Sequence, residues 1–128
     1  MSTVEAAPDI FRVIRLDLAR EAAHPEGSTQ DRYILMLPLD DGGRIDVSYC
    51  RDFPDLCRVA HADSDGGVHR GLIRREADGT WAFDYGDADE ATETGFRFGQ
   101  EQFTPGEYVS VVRNGQPHPY RVVSLQPL

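Results

Sequence analysis

The sequence predicts an all-β chain, or a mainly β chain with one short helix, folded as a small antiparallel barrel or sandwich of seven to eight strands. Three observations carry this prediction. Apolar residues alternate with polar ones in several short runs, the two-residue period of a strand with one buried face. Gly-bearing pairs separate many of these runs, above all Asp78-Gly79 and Asn114-Gly115. Such pairs tolerate the positive φ of a two-residue hairpin turn. From Leu56 to the C-terminus the pattern is β throughout, and no segment repeats another.

Taken in order, residues 1–9 are small and polar and are expected to be loose, leaving 10–128 as a single β-rich domain. In "IFRVIRLDLAR", Ile14, Leu16 and Leu18 alternate with Arg15 and Asp17, a half-buried strand. After the polar loop "EAAHPEGSTQ", Tyr33, Leu35, Leu37 and Leu39 share one face of a second strand. "RIDVSYCRDF" has two readings. Asp46 can cap a short helix with Tyr49, Cys50 and Phe53 on one side, ending before Pro54; Val47 and Tyr49 also suit a strand. The helix is preferred.

"LCRVAHA", "VHRGLIRRE" and "WAFDY" follow as strands, the last presenting Trp81, Phe83 and Tyr85 on one face. An acidic loop leads to "GFRFGQEQF", "EYVSVVR" and "YRVVSLQ", three further strands. The expected core or cavity lining comprises Leu16, Leu35, Leu37, Trp81, Phe83, Phe96, Phe98, Phe103 and Tyr108.

A chain of 128 residues fits one domain. Folding at this size buries roughly two thirds of the unfolded surface, enough for a core without metal or disulfide staples. Twenty-two acids face 13 bases, all of them Arg, for a net charge of −9. That balance argues against broad nucleic-acid binding, which needs a positive face. Two cysteines are too few for a secreted disulfide framework. The start "MSTVEAAPDIFRVIR" lacks the basic-then-apolar pattern of a signal peptide, and no window approaches the ~20 apolar residues of a membrane span. A soluble cytoplasmic protein is expected.

The acidic run "DYGDADEATE" offers carboxylates for a hard cation, but its spacing fails the calcium-loop pattern, and it reads as a solvated loop. Cys50, Cys57, His61 and His69 form a C-x6-C-x3-H-x7-H array. It lacks the tight cysteine knuckle of structural zinc sites. Cys57 and His61 also lie four strand residues apart, roughly 13 Å, too far for one ion. No metal and no cofactor are therefore expected. No strained Ser elbow or S-x-x-K motif is present, and no residue is assigned as catalytic.

The least ordinary surface feature is "HRGLIRR". Arg70 and Arg74 share a face and suit a carboxylate or phosphate, while His69 lies on the opposite face. Surface pairing with acids on adjacent strands is the plainer explanation. His69, Arg70, Arg74 and Tyr108 are the candidate ligand-binding residues.

"FTPGEYVSVV" is similar to the barrel strand of ferredoxin-reductase-type flavoproteins, in which a Pro-Gly turn enters a strand near the flavin. The R-x-Y-[ST] motif that holds the flavin in that family has no counterpart; Tyr120 and Arg121 occur in the reverse order, so the flavin reading is set aside. "TWAFDYGDADEATETGFRFGQEQFTPGEYVSV", followed by "YRVVSL", resembles a family of small, single-domain, uncharacterised proteobacterial proteins. That resemblance implies a stand-alone soluble bacterial protein and assigns no functional residues.

Function is expected to be that of a non-catalytic binding or protein-interaction module. The alternative is a small-molecule-binding barrel with modest enzymatic activity on an anionic ligand. A pocket with convergent polar groups and perturbed ionisation marks the alternative; an apolar patch or a free strand edge marks the module.

Overall fold

The computed structural model describes residues 9–22, 24–86, 93–95 and 97–128. The expected loose N-terminal residues 1–8, Phe96 of the expected core, and Asp87, Asp89 and Glu90 of the acidic run lie outside them.

Eight antiparallel strands close into a barrel in which each strand pairs with the next and the last returns to the first. They are β1 Phe11–Leu18, β2 Ser28–Pro38, β3 Arg58–Ala62, β4 Val68–Arg75, β5 Trp81–Asp84, β6 Glu93–Thr94, β7 Tyr108–Arg113 and β8 Gln116–Pro127. One short helix, α1 (Val47–Asp52), and a turn of 3-10 helix at Pro54–Leu56 separate β2 from β3. Among the described residues no helix is long and apolar enough to cross a membrane.

The two-residue period does what it predicts. Leu16, Leu35, Leu37, Trp81, Phe83, Phe98 and Phe103 are all buried within one core, joined by Phe11, Ile14, Val59, Val109 and Val122. The hairpin signals act as expected. Arg113 pairs with Gln116 across Asn114 and Gly115, both at positive φ, the geometry of a type I′ turn. Asp46 caps α1, its carboxylate accepting from the backbone of Ser48 and Tyr49, and Pro54 prevents the helix from continuing. Only Cys50 of α1 is buried.

Two expectations need correction. Residues 97–103 of "GFRFGQEQF" form no strand: Phe98 N–H bonds to Gly95 O and Glu101 N–H to Arg97 O, a turn instead of a ladder. The reason is packing. Phe98 folds back over Gly95, where a Cβ would sit 2.5 Å from its ring, and meets Phe103 edge-on at 5.1 Å. The strand at this point is the two-residue β6, inside the run read as an acidic loop. Tyr108 is not core. It begins β7 facing outward and is 62% exposed.

The barrel has two unlike ends. Strand direction alternates, so the ends of odd strands and the starts of even strands meet at one rim. The opposite end holds Phe11, Leu37, Phe98 and Phe103, with Phe53 packed edge-on against Phe11 at 6.2 Å.

Candidate functional site

The inward face of each strand changes character as it approaches the rim. In β2 the series Leu37, Leu35, Tyr33 ends on Asp31; in β3, Val59 is followed by His61; in β7, Val109 and Val111 by Arg113. Val122 of β8 precedes Tyr120 toward the same rim, Tyr85 extends the Trp81, Phe83 series, and Glu93 of β6 pairs with Arg113 of β7. The period that builds the core therefore also turns polar groups inward at one end.

These side chains bond to one another in two linked sets. Asp31 Oδ1 lies 2.9 Å from His61 Nε2 and accepts from Tyr120 Oη at 2.8 Å. Arg113 donates to Tyr120 Oη and lies 3.5 Å from Asp31 Oδ2. In the second set, Glu93 Oε1 accepts from both Tyr33 Oη and Tyr85 Oη, each at 2.7 Å. The sets meet at His61, which stacks on Tyr33 with centroids 4.2 Å apart and the planes at 12°. The remaining imidazole nitrogen, Nδ1, is 3.9 Å from Glu93 Oε2, too long for a direct hydrogen bond.

Burial is deep for such groups: His61 is 6% exposed and Asp31 9%. Burial alone raises the pKa of a carboxyl, but at Asp31 the bonds from His61 and Tyr120 and the charge of Arg113 outweigh it, so Asp31 sits below its ordinary value. Burial, reinforced by the Glu93 charge, pushes the phenols of Tyr33 and Tyr85 well above theirs. Tyr120 is raised by burial and by its bond to Asp31, against the opposing charge of Arg113. Burial works against the charge of Arg113, yet the phenols of Tyr33 and Tyr120 hold its pKa above the usual value. All three phenols thus keep their protons as donors.

This arrangement can perform acid–base work. An ionised Asp31 accepts only, so Nε2–H of His61 is the donor toward it, and Nδ1 is the ring nitrogen left for other partners. Nδ1 and Glu93 Oε2 face each other across a 3.9 Å gap. Among the described residues, no group of three or more His, Cys, Asp and Glu is arranged to hold a metal ion.

The residues singled out from sequence are not gathered at one place. His69 stands half exposed at the rim, 6.0 Å from the Tyr85 ring and 3.7 Å from Asp63 Oδ2. Arg70 and Arg74 are exposed on the outer face of β4, and Arg74 pairs with Asp84 at 2.9 Å. Tyr108 borders an outer groove of about 790 Å³ with Arg20, Glu26 and Arg121. A second hollow, of about 450 Å³, lies beside α1 and is lined by Cys50, Arg51, Ile73, Arg75 and Trp81.

Sequence reasoning missed Asp31, Tyr33, His61, Tyr85, Glu93, Arg113 and Tyr120 as a site. A signal for several existed: Asp31 is in phase with Tyr33, Leu35 and Leu37, and His61 with Cys57 and Val59. Carrying the inward period into the polar flank names both. Compared with known proteins, the chain matches no family model, no curated protein and no solved structure.

Proposed function

We propose that the protein is a small-molecule-binding barrel that takes a polar ligand at its rim, where His61 and Glu93 meet it. The observation that carries this reading is the convergence of Asp31, Tyr33, His61, Tyr85, Glu93, Arg113 and Tyr120 inside one end of a closed barrel. Burying that many polar groups is costly unless they are matched, and an apolar plug would close the same end at less cost. Ligand sites commonly occupy the mouths of barrels.

The chemistry of the rim favours a ligand that donates hydrogen bonds. Arg113 is already engaged by Asp31 and Tyr120, whereas Nδ1 of His61 and Oε2 of Glu93 face each other unjoined. A hydroxyl or amino group suits that gap better than an anion. Activity, if the ligand is also a substrate, follows from the same pair, with His61 taking a proton at Nδ1 while Asp31 stabilises the imidazolium.

A protein-interaction module is the second reading. One observation favours it: Tyr108 is 62% exposed and borders the outer groove beside Arg121. Against it, all eight strands are paired around the barrel, so the described strands offer no free edge for a partner strand.

The test is a thermal-shift screen of polyols, amines, nucleosides, carboxylic acids and divalent metals against the wild type and Glu93→Gln. A ligand at a hundred times its Kd stabilises the native state by about 2.7 kcal/mol, a shift of several degrees. The proposal expects a polyol or amine to raise the wild-type Tm and to lose that effect in Glu93→Gln. Hits that survive the substitution, or no hit in the panel, overturn it.

A further inference from the structure

Cys50 and Cys57 lie in the apolar half of the barrel, away from the polar rim. Cys50 is the only buried residue of α1, 8% exposed, and its N–H bonds to Asp46 O at 3.2 Å. Cys57 is 1% exposed at the foot of β3, where its carbonyl accepts from Ile73 N–H at 2.8 Å. Between them the chain reverses through Phe53 and the turn at Pro54–Leu56, which brings the two side chains into the same core cluster. Cys57 Sγ lies 3.8 Å from Phe53 O, and Ile73, whose N–H bonds to Cys57 O, lines the same hollow beside α1 as Cys50. Both thiols are free.

Two buried thiols packed as small apolar groups would be inert. This pair differs in two respects. The two side chains sit in one core cluster on either side of a tight reversal, close enough for each to shift the other's ionisation, and Cys50 lines the hollow of about 450 Å³ beside α1, which opens that side of the pair to solvent. Arg51 and Arg75 border the same hollow. The proximity of the two thiols also divides the pair's ionisation. The neighbouring Cys57 thiol and burial raise the pKa of Cys50, whereas the neighbouring Cys50 thiol outweighs burial and lowers that of Cys57. A lowered pKa with a resolving thiol alongside is the environment of oxidisable cysteines.

We propose that Cys50 and Cys57 form a reversible intramolecular disulfide, with a small hydroperoxide as the oxidant. The Cys57 thiolate attacks one peroxide oxygen; the O–O bond breaks, leaving a sulfenic acid on Cys57 and releasing hydroxide. Hydroxide takes the Cys50 proton and becomes water. The Cys50 thiolate then attacks Cys57 Sγ, forming the S–S bond and displacing the second hydroxide, which is neutralised by the proton Cys57 first released. Two thiols are oxidised, one peroxide is reduced, and for hydrogen peroxide two waters form. The bond ties α1 to the foot of β3.

The arrangement of arginines makes the test direct. Trypsin cuts after Arg44, Arg51 and Arg58, which places Cys50 and Cys57 in separate, adjacent peptides, Ile45–Arg51 and Asp52–Arg58. The full-length protein is treated with equimolar hydrogen peroxide, its intact mass measured, and the unreduced chain digested. The proposal expects a monomer lighter by two hydrogen atoms, the two peptides joined, and both thiols restored by dithiothreitol. It also expects a Tm several degrees above that of the reduced protein and a changed emission from Trp81, the only tryptophan, which lines the same hollow. Cys50→Ser should stop the reaction at oxygen addition on Cys57. This mapping uses wild-type protein, so it stands even if that variant folds poorly. Unreacted thiols, oxygen adducts without joined peptides, or joined peptides only in covalent dimers would overturn the proposal.

Discussion

His61 Nε2 lies 2.9 Å from Asp31 Oδ1, between two residues thirty apart in the chain on neighbouring strands β2 and β3. Tyr120 donates to the same oxygen from β8, so one carboxylate ties three strands together at the rim. Removing its charge should be costly. Asp31→Asn is expected to lower stability near pH 7 by about 3 kcal/mol, the order found when one partner of a buried ionic pair is deleted. Urea unfolding measures it. A loss under about 1 kcal/mol, the worth of an exposed pair, would mean that water screens the cluster.

The same carboxylate predicts a pH dependence. Because Asp31 is held below its ordinary value, the folded chain binds that proton less readily than the unfolded chain. Its stabilisation is complete above the unfolded value of about 3.9 and is lost as pH falls through the folded value. The gap between wild type and Asp31→Asn should therefore close in acid. Unfolding curves from about pH 6 down to about pH 2 check this; a gap independent of pH would assign the loss to packing.

Tyr33 and Tyr85 both donate to Glu93 Oε1 at 2.7 Å. Each Tyr→Phe change removes one donor and leaves the other, so each should cost about 1.5 to 3 kcal/mol, the range for a hydrogen bond to a charged group. The double variant strips that oxygen of both phenols and should cost more than the sum. A double-mutant cycle gives the coupling; simple additivity would show that the two phenols act independently.

Glu101 points the other way. Burial raises its carboxyl pKa despite a bond from Ser110 N–H, and Oε1 has no partner among the described residues. A raised carboxyl pKa means the folded chain binds the proton more readily, so stability from this site grows as pH falls through the folded value. Glu101→Gln should accordingly raise Tm at neutral pH by a few degrees, with the gain vanishing in acid. A lower Tm for the variant at neutral pH would contradict this.

Gly71 of β4 lies directly against the backbone at the end of β5. A Cβ there would stand 2.0 Å from Asp84 O and 2.8 Å from Tyr85 Cα, both backbone atoms that cannot rotate away. Gly71→Ala is expected to cost roughly 3 kcal/mol or more through overpacking. Gly66→Ala, where a Cβ meets nothing within 4 Å, should cost about 1 to 2 kcal/mol through its positive φ alone. Equal losses would place the Gly71 effect in the backbone rather than in this contact.

Much of the architecture was legible because it is local. The alternation around Leu16, Leu35 and Phe83, the Asn114-Gly115 turn and the Asp46 cap each depend on a few adjacent residues. The site depends on register and closure instead. Tyr33 meets Glu93 across 60 positions and Tyr120 meets Asp31 across 89, contacts that exist only once β8 has returned to β1. Glu93 was hidden for a further reason: it sits in an acidic run whose composition reads as solvent-facing, and only the pairing of β6 with β7 turns it inward. Arg70 and Arg74 stood out in sequence because they cluster, yet clustering on an outward phase leads to solvent and to Asp84.

The central claim is that a polar ligand enters the rim, and the five tyrosines give its most direct measurement. Tyr33, Tyr85 and Tyr120 belong to the cluster, whereas Tyr49 and Tyr108 lie outside it and are exposed. Chain labelled with carbon-13 at tyrosine is titrated with a polyol or amine from the screen, and ring resonances are followed by NMR. Shifts at Tyr33, Tyr85 and Tyr120, with Tyr49 and Tyr108 unmoved, are the predicted result. A shift confined to Tyr108 would put the ligand in the outer groove and contradict the account.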